Sequence, residues 1–310
     1  MFRLFLAPLR FAILSGLAAA PAAAVLIGTG DGTGNTEPPG WPSYFQPGFE
    51  YVGTRGSLSA VYLGDGWVIT ANHVGAGDVV IDGVAYPWVP GSEQRLENPD
   101  GTKADLLVFE IDPHPNLPVI PIAVDPPALD ALLMIKGNGR DRGAEIAWDP
   151  NGPSPPGLTP GFEWAGNRTL RWGSNQVEVY PPGGEVFNTV AFGSRFDPDG
   201  PFDECQAVTG DSGGGVFAWD ASAPEFVLAG IVLAILEYSN QPAATSIHGQ
   251  SSYYADLAYY RENILEVTNL PEPRGGIWFG GVLLAASHRW RSRLRGRGRD
   301  ERTPLGAESR

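Results

Sequence analysis

The sequence predicts an all-β fold of many short strands with one helix near the end of its globular part. Three observations lead there. The 310 residues include 41 glycines and 29 prolines, which punctuate the chain at short intervals. Hydrophobic residues make up 43% and aromatic ones 11%, enough to bury a sizeable core. No long stretch sustains a helical period, whereas short runs rich in Val, Ile, Leu and aromatics recur between turn formers.

Taken in order, residues 25–50 (VLIGTGDGTGNTEPPGWPSYFQPGFE) are rich in Gly and Pro and predict an irregular lead-in that reaches residue 56. Strands are expected over 57–63, 66–70, 78–86, 105–111 (DLLVFEI) and 117–124. The stretch 149–162, DPNGPSPPGLTPGF, reads as a link between two halves. Later strands are expected over 177–180, 189–193, 215–219 and 226–238. The last of these, FVLAGIVLAILEY, is too short for a comfortable membrane-spanning helix and contains Gly230, so it reads as a buried strand. Leu257, Tyr260, Ile264 and Val267 recur at helical spacing and predict a helix over 253–267.

The two ends are unlike this body. The opening residues, MFRLFLAPLRFAILSGLAAAPAAA, set Arg3 and Arg10 ahead of an apolar run, and Ala22-Ala23-Ala24 fits an A-x-A cleavage site. Residues 1–24 therefore read as a secretory signal peptide, with the mature chain exported from a bacterial cell. The formal net charge is −14, while arginines crowd the far end after Arg274. An acidic body argues against nucleic acid as a partner, since that requires a cationic face. Cys205 is the only cysteine, which excludes an intramolecular disulfide. With no basic residue close by in sequence it reads as a packed thiol. Asp197, Asp199 and Asp203 hint at Ca²⁺ but lack the alternating ligand pattern with a terminal Glu, so no metal and no cofactor is expected.

The chemistry centres on VTGDSGGGVF at 208–217. A serine hydroxyl is a poor nucleophile near neutral pH; it needs a base and donors for the oxyanion that forms. Of the four histidines, His288 lies in the basic tail, His114 in a proline-bounded loop and His248 in a polar loop. His73 instead ends GWVITANHV, a strand followed by a turn, which sets an imidazole at the rim of a β structure. Asp105 begins the apolar strand KADLLVFEI, where a carboxylate requires a partner.

The chain order His73, Asp105, Ser212 resembles the trypsin-like (chymotrypsin-fold) serine peptidases. The matching residues are Ile69-Thr70-Ala71-Asn72-His73, Ala104-Asp105-Leu106-Leu107 and Gly210-Asp211-Ser212-Gly213-Gly214, with Asn72 standing where that family usually has Ala. The resemblance covers 57–268 and implies two six-stranded antiparallel β-barrels with a C-terminal helix. It implies a serine endopeptidase acting on protein or peptide substrates. Ser212 would attack the carbonyl, His73 would act as base and then acid, and Asp105 would fix the imidazole tautomer. The backbone N–H groups of Gly210 and Ser212 would form the oxyanion hole. Asp203 and Gln206 would line the primary specificity pocket, Asp203 at its base favouring Lys or Arg. In that family a new amine, released before an Ile-Val-Gly-Gly-type start, pairs with the Asp beside the serine. No such tetrapeptide occurs here; Val25 or Ile27 would supply an apolar start after leader removal, and the partner of Asp211 stays open.

Residues 269–310 carry Pro271-Glu272-Pro273, an apolar segment from Gly275 to Ala286, and Arg289, Arg291, Arg293, Arg295, Arg297 and Arg299. This order resembles the PEP-CTERM sorting tail, which implies an exosortase-type partner and a transient membrane anchor. Two rival readings remain. One is a catalytically inactive scaffold acting as a surface binding protein. The other is an α/β-hydrolase esterase, since GDSGG also satisfies the G-x-S-x-G elbow, with Asp220 or Glu237 and His248 completing its triad. That fold needs a helix directly after the serine, whereas GGGVFAW reads as glycines and a strand.

Overall fold

The computed structural model describes residues 25–40, 48–149, 158–222 and 224–271. The expected leader at 1–24, and all but the first three residues of the expected sorting tail at 269–310, lie outside the described residues. The strands, in chain order, are β1 (Leu26–Ile27), β2 (Val52–Arg55), β3 (Leu58–Gly64), β4 (Trp67–Ala71), β5 (Val79–Ile81), β6 (Val84–Tyr86), β7 (Gln94–Glu97) and β8 (Lys103–Glu110). There follow β9 (Leu132–Gly137), β10 (Arg140–Trp148), β11 (Thr159–Arg168), β12 (Arg171–Gln176), β13 (Glu185–Val186), β14 (Thr189–Arg195) and β15 (Cys205–Gln206). The last four strands are β16 (Gly215–Asp220), β17 (Glu225–Leu236), β18 (Thr245–Ile247) and β19 (Ser251–Asp256), followed by the helix α1 (Leu257–Thr268).

The fold is all-β with one C-terminal helix. Two antiparallel sheets dominate, each of seven strands, in the orders β6-β5-β2-β3-β4-β8-β7 and β12-β9-β16-β17-β19-β14-β13. The resemblance implies six strands in each half; short outer strands such as β6 and β13 bring the number to seven. A three-stranded sheet, β10-β11-β18, and the pair β1-β15 complete the set. The central strands of the first sheet form where the apolar runs are, and β3, β4 and β8 are buried along nearly their whole length. The β3–β4 turn is tight because Gly64, Asp65 and Gly66 all take positive φ, which glycine accepts without a steric penalty.

Several expected boundaries move. The lead-in is not wholly irregular, since it holds β1 and β2. The 78–86 run splits at a turn into β5 and β6, which pair with each other. Segments 117–124 and 177–180 contribute only the isolated bridges Ile122↔Leu228 and Val179↔Gly193. The 149–162 link does not join two halves: β10 and β11 pair across it, Trp148 opposite Thr159, so it is the loop of a hairpin. The helix starts at Leu257 because residues 253–256 belong to β19. Asp256 caps it, its side chain accepting from the Ala258 N–H at 3.0 Å. Leu270 remains buried in the core, so the packed body extends past residue 268.

One apolar core runs through both large sheets and under the helix. It takes Tyr62, Ile69 and Phe109 from the first sheet, Phe217 and Ile231 from the second, and Tyr260 and Ile264 from α1. The helix also ties the halves by polar contacts, with Tyr260 Oη donating to Asn98 Oδ1 (2.6 Å) and accepting from the Val190 N–H (2.9 Å). No helix among the described residues is long and apolar enough to cross a membrane.

One buried acid gives the fold a pH dependence. Glu204 is almost wholly enclosed, and its Oε1 accepts from Asn175 Nδ2 (2.9 Å) and the Asp197 N–H (3.0 Å). Burial, reinforced by the nearby Glu178 and Asp197 charges, pushes its carboxyl up from 4.5 to about 8. Between those values the unfolded chain is ionised while the folded one keeps the proton. Stability is therefore fully present below about 4.5 and is lost as pH rises through about 8. Glu204→Gln should flatten this loss, by on the order of a few kcal/mol at the alkaline end. The check is thermal unfolding at pH 5 and pH 8.5 for both proteins; equal spacing of the two melting temperatures in each would refute it.

Candidate active site

His73 sits just past the end of β4, in a turn closed by Val74 N–H to Ala71 O (3.0 Å) and Gly75 N–H to Asn72 O (3.1 Å). Its side chain is 41% exposed, so the ring stands at the rim of the first sheet. Neighbouring β8 holds Asp105 in the buried interior, and the Asn72 N–H bonds the Asp105 carbonyl at 3.1 Å. Both carboxylate oxygens turn to the histidine: Oδ1 accepts from the His73 backbone N–H (2.9 Å), and Oδ2 lies 2.7 Å from Nδ1. A carboxylate oxygen can only accept, so this contact assigns the ring proton to Nδ1 and leaves Nε2 with a free lone pair.

Ser212 lies half-buried in the loop between β15 and β16. It shares with His73 a cavity of about 280 Å³, whose wall includes Ala207, Val208, Val232, Leu233 and Ala234. Among the described residues no hydrogen bond joins Ser212 Oγ to His73. A second cavity, of about 430 Å³, adjoins through His73 and Leu233–Ile235 and adds Arg95, Asp105 and Phe187.

The backbone of the serine loop is held on its carbonyl side. Ser59, fully buried on β3, donates its Oγ–H to Gly210 O (3.0 Å) and its N–H to Ser212 O (3.0 Å). Its Oγ also accepts from the Asn138 N–H at 2.8 Å. The N–H groups of Asp211, Gly213 and Gly214 bond to Val208 O, Val232 O and Asp211 O. Those of Gly210 and Ser212 have no acceptor among the described residues. Gly213 must be glycine: its φ is +83°, and a Cβ there would meet Ser59 O and Thr70 Oγ1 at 2.1 Å.

Asp211 finds its partners in the amino-terminal segment and the second sheet. It is 0% exposed. Oδ1 accepts from Gly139 N–H (2.7 Å) and Val25 N–H (3.4 Å), and Oδ2 from Val208 N–H (2.8 Å). Burial outweighs these donors and raises its carboxyl to about 6. β1 follows at once, pairing Leu26 with Gln206 and Ile27 with Cys205, so the segment after Val25 is seated on the strand that leads into the serine loop. Cys205 is enclosed and burial pushes its thiol well up.

The structure places the remaining candidate residues elsewhere. Asp203 and Gln206 do not line the cavity beside Ser212. The Asp203 carboxylate accepts from Thr29 Oγ1 of the lead-in at 3.4 Å. Gln206 is buried within β15, and its amide has no hydrogen-bond partner among the described residues. The elbow reading also fails, because β16 and not a helix follows the serine. His248, its proposed base, stacks on Phe196 (centroids 4.4 Å apart) and lines neither cavity. Sequence reasoning missed Ser59 altogether. It also missed the role of β17, whose apolar run carried the signal for a strand but none for a cavity wall.

No protein-family model and no curated protein matches the chain. Among solved structures it is similar to neuropsin, a serine protease expressed in the limbic system of mouse brain. The identity is 16%, over 71% of this chain and 94% of that one, with a TM-score of 0.47. It is also similar to two mutants of human heparin binding protein, at 15% and 16% identity, over 74% of this chain and 95% of theirs, with TM-scores of 0.46 and 0.47.

Proposed function

We propose that the chain is an exported serine endopeptidase that cleaves peptide bonds through an acyl-enzyme on Ser212. The observation that carries this reading is the His73 Nδ1 to Asp105 Oδ2 contact at 2.7 Å, with His73 and Ser212 walling one cavity. Nδ1 is occupied by Asp105, so Nε2 is the base that takes the Ser212 proton as the hydroxyl attacks the carbonyl carbon. The electron pair displaced onto the carbonyl oxygen is met by the unengaged N–H groups of Gly210 and Ser212. The protonated imidazole then gives its proton to the leaving amine, and water repeats the sequence on the ester. A fluorophosphonate probe tests the reading: the wild type should be labelled at Ser212. Labelling elsewhere, or none, would count against it.

The absence of a Ser212–His73 hydrogen bond among the described residues favours a second reading, a non-catalytic scaffold for surface binding. The same probe separates the two. Export and leader removal after Ala24 belong to the proposal. They would leave the Val25 amine beside the Asp211 carboxylate, where its N–H already donates. The sorting tail, with its exosortase-type partner, is proposed on sequence alone.

The residue preference expected of this peptidase departs from Lys or Arg. Ala207, Val208, Val232 and Leu233, all buried, wall the cavity beside Ser212, and no acidic side chain among the described residues lines it. A cationic side chain would lose its hydration there without a counter-charge. Peptides with Ala, Val or Leu before the scissile bond should therefore outrun those with Lys or Arg by about tenfold or more in kcat/KM. A peptide library varied at that one position measures it; a Lys or Arg optimum would refute it.

A further inference from the structure

We propose that Arg168 is a positioning residue for the oxyanion hole, acting through the peptide bond between Thr209 and Gly210; this rests on the peptidase reading above. A trans peptide is planar, so its C=O and N–H point in opposite directions. Whatever fixes Thr209 O therefore fixes where the Gly210 N–H points. Two donors converge on that oxygen: Arg168 Nη1 at 2.5 Å and the Arg140 backbone N–H at 3.1 Å. Arg140 and Arg168 are themselves directly paired across β10 and β11. The strand pairing that sets one donor thus sets the other.

With its carbonyl captured on the β10–β11 side, the peptide turns the Gly210 N–H the opposite way. That N–H has no acceptor among the described residues, and Gly210 lines the Ser212 cavity. The guanidinium also reaches Asn138 O at 3.5 Å and packs directly against Gly210. A Cβ at Gly210 would fall 1.7 Å from Arg168 Nη1, and the residue's φ of +117° suits glycine alone. The arginine therefore fills the side-chain space of the donor residue while holding the preceding carbonyl. Its positive charge stands beside the same peptide and favours negative charge on a substrate oxygen at that N–H. In the absence of the guanidinium, one backbone N–H alone would hold Thr209 O, and rotation of the peptide would withdraw the Gly210 donor from the cavity.

The probes are p-nitrophenyl acetate, for separate kcat and KM, and a fluorophosphonate, for the rate of Ser212 modification. Arg168→Met should lower kcat and the labelling rate together by about tenfold or more, with KM within about threefold of wild type. Arg168→Lys, which keeps a charged donor, should recover part of the loss. Should Arg168→Met fold poorly, Arg168→Gln, which keeps an amide NH₂ donor but no charge, takes its place and should lose more than Arg168→Lys. Rates of the variants within about twofold of wild type, or a rise in KM with kcat unchanged, would overturn the proposal. A wild type that is not labelled at Ser212 would instead overturn the peptidase reading, and this inference with it.

Discussion

Ser212→Ala is expected to abolish fluorophosphonate labelling and to lower peptide hydrolysis on the order of 10⁶-fold. The effect is this large because the loss removes the step itself: without Oγ no acyl-enzyme forms, and the donors and cavity walls can only accelerate attack by water. The change should cost the fold little. Ser212 is half-buried, its Oγ makes no hydrogen bond among the described residues, and its backbone contacts to Ser59 do not involve the hydroxyl. Mass spectrometry of the labelled protein together with thermal unfolding checks both parts. Labelled Ser212→Ala protein with an unchanged melting temperature would show that another nucleophile reacts.

The second large effect is expected for Asp105→Asn, a loss on the order of 10⁴-fold in kcat. Two donors converge on the carboxylate, the His73 N–H at Oδ1 and Nδ1 at Oδ2. An amide offers one acceptor oxygen and one donor nitrogen. If its oxygen keeps the backbone N–H, its NH₂ faces Nδ1, and the ring must move its proton to Nε2. An imidazole protonated at Nε2 cannot take the hydroxyl proton. Fluorophosphonate labelling should slow in step with hydrolysis while the melting temperature moves little. Normal labelling by this variant would exclude the assigned tautomer as the source of reactivity.

The sequence exposed the parts of this arrangement that depend on residue identity. His73 and Asp105 were visible because each stands near the end of an apolar strand, and Ser212 because glycines and an aspartate frame it; β4 and β8 do pair, Ala71 opposite Leu106, so that Asp105 lies beside the turn holding His73. Strands β3, β4, β8, β16 and β17 were legible from apolar runs between turn formers. The run from β10 to β12 was not, because Gly, Arg, Asn and Trp interrupt it and its strands are stabilised by pairing rather than by an apolar pattern, whereas β9 (LLMIKG) carried an apolar run that the sequence reading passed over. Residues 253–256 carried a helical pattern that the ladder to β14 and β17 overrides. The wall of the Ser212 cavity was illegible for a different reason. It is assembled from two segments, 207–210 and 232–235, whose approach depends on tertiary packing, and neither announces itself by residue type. The acidic residues before the serine, which did stand out, face other partners.

Ser59 has a consequence for biosynthesis. It belongs to a strand near the beginning of the body, while the carbonyl it grips at Gly210 lies 151 positions further on. During synthesis the early half of this clamp waits, folded or not, until the late half has been made and docked. A nascent or truncated polypeptide that ends before Gly210 thus carries His73 and Asp105 with the clamp unformed and without Ser212.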